Sequence, residues 1–134
     1  MEYLLRNGVP SQQIILGVPA YARSFGQAAG PGQAFKGACE IDYCDLDEEF
    51  VQNATVDLAL GAASYVDHTG CADAKGQMQD PKGFISFDVP DTVRMKARYV
   101  QAMGLGGLFY WTGVADRSGD QSLVSAGFQE LTRT

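Results

Sequence analysis

Gly104-Leu105-Gly106-Gly107-Leu108-Phe109-Tyr110-Trp111 is a glycine-rich entry into a short apolar run, and Ile14-Ile15-Leu16-Gly17-Val18 is a second run of the same kind. Neither alternates polar with apolar residues, which is the pattern of strands buried on both faces of a parallel sheet. Each run ends in polar or aromatic side chains: Tyr21, Arg23 and Phe25 follow the Ile14–Val18 run, and Trp111 closes the run that begins at Gly104. Ligands of β/α sheets and barrels sit beyond the carboxyl ends of parallel strands. If the two runs are parallel neighbours, Tyr21, Arg23 and Trp111 therefore face one mouth.

The intervening sequence supports that order of elements. Glu2 to Arg6 reads as the end of a helix, stopped by Asn7-Gly8 with Pro10 beyond. Gln27 to Gln33 is a loop, being rich in Gly and Pro. From Phe35 to about Lys82 short segments and acidic clusters indicate a small α+β insertion, with a helix over Asp45 to Ala54 capped by Asp45 or Asp47 and turning Phe50 and Val51 inward. Phe84-Ile85-Ser86-Phe87 is a further strand. After Pro90, Asp91 or Thr92 caps a helix whose Val93, Ala97 and Val100 share one face, ended by Gly104. Asp120 caps a last helix with Val124, Phe128 and Leu131 on one side. Strand, helix, strand, helix is the order of β/α units, and no internal repeat interrupts it.

Composition narrows the partners. With 134 residues, 46% hydrophobic and 19% charged, the chain has the make-up of a globular protein, yet it is well short of the roughly 250 residues of an eight-stranded β/α barrel. A net charge of −6 leaves no basic stripe for phosphates or an anionic membrane surface, so nucleic acid is not an expected partner. No stretch approaches the roughly 20 apolar residues of a membrane span, and Met1-Glu2-Tyr3 does not open a signal peptide. Cys39, Cys44 and Cys71 have no Cys-x-x-Cys spacing, which argues against zinc; one bridge to Cys71 and three buried free thiols both remain open. Asn53-Ala54-Thr55 fits the N-glycosylation pattern. His68, the only histidine, lies in a polar turn and reads as a surface residue.

An aromatic face stacks on the C–H face of a pyranose, and Tyr and Arg donate directed hydrogen bonds to hydroxyl or acetamido oxygens. The bland alternative is a core Trp111 and an Arg23 that merely pairs with a carboxylate. Against it stands a resemblance. Gly8-Val9-Pro10 with Leu16-Gly17-Val18-Pro19-Ala20-Tyr21-Ala22-Arg23-Ser24-Phe25 resembles the seventh barrel strand of family 18 glycoside hydrolases, the chitinases, where Tyr-Gly-Arg-Ser-Phe is usual and Ala22 here replaces the glycine. Phe84-Ile85-Ser86-Phe87-Asp88 with Thr92 and Lys96 resembles the strand and helix leading to the eighth strand, with Val89 where a second Asp is common, and Gly104 to Trp111 resembles that eighth strand. Glu40 is similar to the insertion-domain Glu that reaches over the cleft towards sugar, although Cys39 stands where a Tyr usually precedes it.

The resemblance implies an α/β fold: a partial (β/α)8 barrel made of the last two strand-helix units, with a small α+β insertion domain. It divides the chain into barrel segments 1–26 and 84–134 around an insertion at 27–83. It implies hydrolysis of β-1,4-linked N-acetylglucosamine by substrate-assisted retaining catalysis, an exception to the two-carboxylate scheme. Tyr21, Arg23, Glu40 and Trp111 are the implied sugar-binding residues, with no catalytic residue in this chain, no metal and no cofactor. The implied partners are chitin or its oligosaccharides and an N-terminal barrel portion; the implied location of the parent is extracellular. A non-catalytic chitin-binding or lectin-like module is the competing reading.

In the family the general acid closes an Asp-x-x-Asp-x-Asp-x-Glu strand that precedes the Tyr-x-Arg strand. Asp42-Tyr43-Cys44-Asp45-Leu46-Asp47-Glu48-Glu49 matches that spacing formally. It falls after Arg23, has Glu48 at the aromatic position, and runs into a helical flank. It is therefore read as a solvated helix start, and Glu49 is not assigned as an acid. Gly104-x-Gly106-Gly107 enters a strand instead of a helix, the wrong context for a pyrophosphate.

Overall fold

The computed structural model describes residues 1–68 and 82–133. Its strands fall into two sheets. β1 (Ile15–Pro19) and β7 (Gly107–Trp111) pair in parallel, with Ile15 opposite Gly107 and Pro19 opposite Trp111. β2 (Tyr21–Phe25), β3 (Ala38–Asp42), β4 (Thr55–Asp57), β5 (Ala62–Asp67) and β6 (Gly83–Phe87) form an antiparallel sheet in the order β3-β2-β6-β5-β4. The fold is α/β. Both expected apolar runs are strands, and they are parallel neighbours.

Helices cover one face of the β1/β7 pair. α3 (Pro90–Ala102) and α4 (Leu123–Leu131) pack on each other and over the pair, burying Val18, Val93 and Leu123 with Leu108 and Tyr110 against them. Ile14, Val100 and Leu105 close the lower end around Leu16. The sequence pattern predicts burial on both faces of these strands, and the structure corrects this: Ile15 is 50%, Phe109 52% and Trp111 62% exposed. Among the described residues nothing covers the face that these three share.

The ends of α3 follow from local chemistry. The cap is Val89 and not Asp91 or Thr92; the Thr92 hydroxyl accepts from the Val89 N–H at 3.0 Å and donates to Asp88 at 2.6 Å. At the other end Gly104, at φ +60°, lets its own N–H reach the Gln101 carbonyl (3.1 Å) and the Leu105 N–H reach Val100 (2.9 Å), a pairing that satisfies the last carbonyls and seats Leu105 beside Val100.

α4 also departs from expectation. Ser122, not Asp120, is its cap, with its hydroxyl oxygen accepting from the Ser125 N–H at 2.9 Å, while Asp116 accepts from the Leu123 and Val124 N–H groups. The buried residues are Leu123, Ala126 and Gly127, and Phe128 is 65% exposed. Gly127 decides this: a Cβ there would lie 2.0 Å from the Tyr110 hydroxyl, so its bare backbone is the surface thin enough to sit on β7.

At the start of the chain, α1 (Glu2–Arg6) ends at Asn7 as read from the sequence. The helix expected over Asp45 to Ala54 is shorter: a 3-10 turn at Tyr43–Asp45 precedes α2 (Glu48–Gln52), which turns Phe50 and Val51 inward. Asp47 stands at its cap, but its carboxylate pairs with Lys82 Nζ at 3.1 Å instead of capping. Tyr21–Phe25 and Gly83–Phe87 hydrogen-bond with the antiparallel strands and not beside β1. Cys39 and Cys44 are free and exposed, so the reading of three buried thiols does not stand; Cys71 lies outside the described residues.

Candidate functional site

Ala20 joins the two sheets. It is fully buried, its N–H donates to the Trp111 carbonyl at 2.8 Å, and its own carbonyl accepts from the Tyr43 N–H at 3.0 Å. β2 starts at the next residue. Strand alternation then turns Ala22 and Ser24 into the core and leaves Tyr21, Arg23 and Phe25 on the outer face. Small buried residues suit this strand because its inner face lies against Tyr43, Ile85 and Ala63 in one tightly packed cluster.

On the outer face Arg23 stands opposite Glu40 of β3, and their side chains form an ion pair at 3.0 Å while both remain about half exposed. The Arg23 guanidinium also lies 5.7 Å from the centre of the Tyr21 ring. Three of the four expected residues, Tyr21, Arg23 and Glu40, are thus adjacent. The carboxylate pairing foreseen for Arg23 in the bland reading is real, and its exposure shows that the guanidinium is not locked in a core.

Trp111 is not a core residue. It projects from the end of β7 on the bare face, directly across from Pro19. Pro19 in turn lines a cavity of about 640 Å³ together with Tyr21, Arg23, Phe25, Ser86 and Lys96, whereas Trp111 is not among the lining residues. The bare face of β1 and β7 and the outer face of β2 are therefore continuous through Pro19.

The cavity's second cation is also neutralised. Lys96 reaches both oxygens of the buried Asp88 at 2.6 Å, and Thr92 bonds the same carboxylate. These three residues, quoted above for their resemblance to a family pattern, fix the start of α3 against the sheet. A buried carboxylate with a full complement of partners is a structural device.

The formal acidic string is dispersed. Asp47 pairs with Lys82, Glu48 with Arg117, and Glu49 accepts from the Tyr65 hydroxyl at 3.2 Å, while Tyr43 at the start of the string is fully buried. These side chains do not lie along a strand. Asp42, Cys44 and Asp45 bring one ligand atom each within 4.8 Å of one another, but all three are exposed, making an open acidic rim and not a built metal centre.

Sequence reasoning missed Arg117. From the loop after β7 its Nε donates to the Tyr43 carbonyl at 2.9 Å, its remaining nitrogens meet the Leu46 carbonyl and Glu48, and its guanidinium lies 5.2 Å from the centre of the Tyr43 ring. No local signal announces it, because every one of these partners is far away along the chain. Burial pushes the Tyr43 hydroxyl up to about 12 against the opposing charge of Arg117, and burial does the same to Tyr110.

The chain is thus an α/β structure with a parallel strand pair, an exposed indole at the carboxyl end of β7 and a tyrosine, arginine and glutamate side by side on the neighbouring sheet. The chain belongs to glycosyl hydrolases family 18, whose model matches residues 1–116. It is 34% identical over 138 residues to Chitinase 1 of Aphanocladium album, covering 98% of this chain and 30% of that protein. It is 33% identical over 129 residues to Endochitinase 1 of Metarhizium anisopliae, covering 95% of this chain and 29% of the relative. The chain thus spans under a third of the length of these curated relatives. Its fold matches the catalytic domain of psychrophilic chitinase B from Arthrobacter TAD20 with a TM-score of 0.73 at 23% identity, over 99% of this chain and 29% of that one. It also matches a mutant class V chitinase from Nicotiana tobaccum, in complex with NAG4, with a TM-score of 0.64 at 22% identity, over 98% of this chain and 38% of that one.

Proposed function

We propose that this chain supplies the last two strand-helix units and the insertion domain of a chitinase barrel, gripping β-1,4-linked N-acetylglucosamine while an acid outside these 134 residues protonates the leaving oxygen. In this reading β1 with α3 and β7 with α4 are the two barrel units. The antiparallel sheet is the insertion, and the bare face bearing Ile15, Phe109 and Trp111 looks into the barrel. The observation that carries it is the position of Pro19, at once the cross-strand partner of Trp111 and part of the cavity wall beside Tyr21 and Arg23.

The side chains then divide the work. The Trp111 indole offers a flat apolar surface to the C–H face of one sugar ring, and the Tyr21 hydroxyl and Arg23 guanidinium donate to hydroxyl or acetamido oxygens. Glu40 holds Arg23 in place and accepts from a sugar hydroxyl. Catalysis is substrate-assisted: the sugar's own acetamido oxygen attacks the anomeric carbon as the glycosidic bond breaks, so the residues in this chain need to orient the ring and not to react with it. The exposed Asn53 sequon supports an extracellular parent.

The test is direct. The purified chain should release no product from chitooligosaccharides, while their addition changes Trp111 emission and Arg23→Ala weakens that binding by about 1.5 to 3 kcal/mol. Product release that disappears on Glu49→Gln would place the acid inside the chain and defeat the reading. Binding without hydrolysis in a protein that also carries the remaining barrel strands would favour the lectin-like alternative.

A further inference from the structure

Asn53 heads the only Asn-x-Ser/Thr in the sequence, since the other asparagine, Asn7, is followed by Gly8-Val9. Such a pattern is common by chance, and the fold decides whether it can carry anything. Asn53 is the residue at which α2 ends, two residues before β4 begins. Its backbone N–H and its side-chain Nδ2 both donate to the Glu49 carbonyl at 3.0 Å, so the amide is held against the end of the helix while remaining exposed. That bond uses one of the two Nδ2 hydrogens and leaves the other for replacement. Thr55, whose hydroxyl completes the pattern, is exposed as well. The chain that follows is a weak point of the surface. β4 ends the sheet order and, among the described residues, pairs with β5 alone. Val56, Leu58 and Leu60, in it and just after it, are 40%, 58% and 78% exposed. Unpaired backbone groups beside exposed apolar side chains are a template for pairing with another chain, and proteins cover such edges.

Resting on the extracellular parent proposed above, we infer that Asn53 is an N-glycosylation acceptor whose glycan covers the β4 edge. Nδ2 attacks C1 of the first sugar of a lipid pyrophosphate-linked oligosaccharide. The C1–N bond forms as the C1–O bond to the pyrophosphate breaks; the lipid pyrophosphate leaves with that electron pair, and one Nδ2 proton passes to solvent. The remaining Nδ2 hydrogen still donates to the Glu49 carbonyl, which fixes the root of the glycan at the end of α2. A bulky, hydrophilic chain rooted there lies over Val56, Leu58 and Leu60 and keeps a second strand from β4. β4 and β3 are opposite edges of the sheet, so the glycan leaves Arg23 and Glu40 clear.

The experiment gives the 134-residue chain a secretory leader in a eukaryotic host and reads its mass in cells and medium together, so that retained chain is counted. The mass of one glycan should be present, lost with Thr55→Val and kept with Thr55→Ser. Because the leader forces entry into the secretory route, an unmodified chain overturns the acceptor itself, whereas a modified chain from a parent found in the cytosol defeats only the location. Covering is tested in a Phe109→Glu background, which removes association through the bare face. There, enzymatic trimming of the glycan to its first sugar should strengthen self-association about tenfold in sedimentation velocity, the worth of burying one exposed leucine, and Leu58→Lys should cancel that gain. Association unchanged by trimming would overturn the covering of β4.

Discussion

Arg117→Ala should be among the more damaging single substitutions outside the core. The side chain is largely buried and makes three bonds at once: to the carbonyls of Tyr43 and Leu46 and to Glu48, with its guanidinium near the Tyr43 ring. Hydrogen bonds to a charged donor are worth about 1.5 to 3 kcal/mol each. Truncation opens a channel from which water can reach both carbonyls, so part of that is recovered. The Glu48 pair adds about 0.5 kcal/mol, since Glu48 is largely exposed. The balance is a loss of about 2 to 4 kcal/mol, or a fall on the order of 10 °C in midpoint for a chain of this size. Urea unfolding followed by far-ultraviolet circular dichroism measures it, with Glu48→Gln as the control expected to lose under about 1 kcal/mol. A loss below about 1 kcal/mol for Arg117→Ala, or equal losses for the two variants, would show that the carbonyl contacts do not tie the turn to the loop.

Gly127→Ala should destabilise the chain by about 1 to 3 kcal/mol, because the new methyl would meet the Tyr110 hydroxyl at 2.0 Å; an unchanged urea midpoint would mean that α4 slides freely on β7. Stability should also fall between about pH 10 and 12. Below pH 10 folded and unfolded chains both keep their phenol protons, but above it the unfolded chain releases the Tyr43 and Tyr110 protons while the folded one, with both groups raised to about 12, does not. On the order of 2 kcal/mol should be lost through Tyr43, and a Tyr43→Phe chain with the same alkaline slope would contradict this. Finally, the bare face of Ile15, Phe109 and Trp111 should drive self-association, and Phe109→Glu should reduce it in sedimentation velocity; association unaffected by that charge would locate the contact elsewhere.

Much of the architecture is legible in the sequence because it depends on local rules. The two apolar runs, the Gly104 stop and the inward Phe50 and Val51 are all set by neighbours within a turn or a strand. The faces are not legible in the same way. Ile14 to Val18 contains no polar residue to mark an outer side, so its half-exposure depends only on which elements pack against it. Val124 and Phe128 make a better apolar stripe than Ala126 and Gly127, yet the latter are buried because tight contact with Tyr110 demands a small surface. Tyr21 and Arg23 are visible as candidates from residue type; that they open a row continuing through Ser86 and Ser64 depends on strand register, which a sequence does not display.

The geometry of the candidate site is fixed by residues that would touch no ligand. Trp111 belongs to the parallel pair, while Tyr21, Arg23 and Glu40 belong to the antiparallel sheet, so their mutual placement is an inter-sheet quantity. Two connections set it. The backbone of Ala20 bonds the end of β7 through its N–H and the turn at Tyr43 through its carbonyl, and Arg117 ties that same turn to the loop after β7. Both pass through Tyr43, which is fully buried in the main apolar cluster. A larger side chain at Ala20 has no space to occupy and must separate the sheets, displacing Arg23 from Trp111 although neither residue has changed. The separation of Trp111 from Arg23 therefore depends on this hinge of small and buried residues as much as on the two strands that carry them.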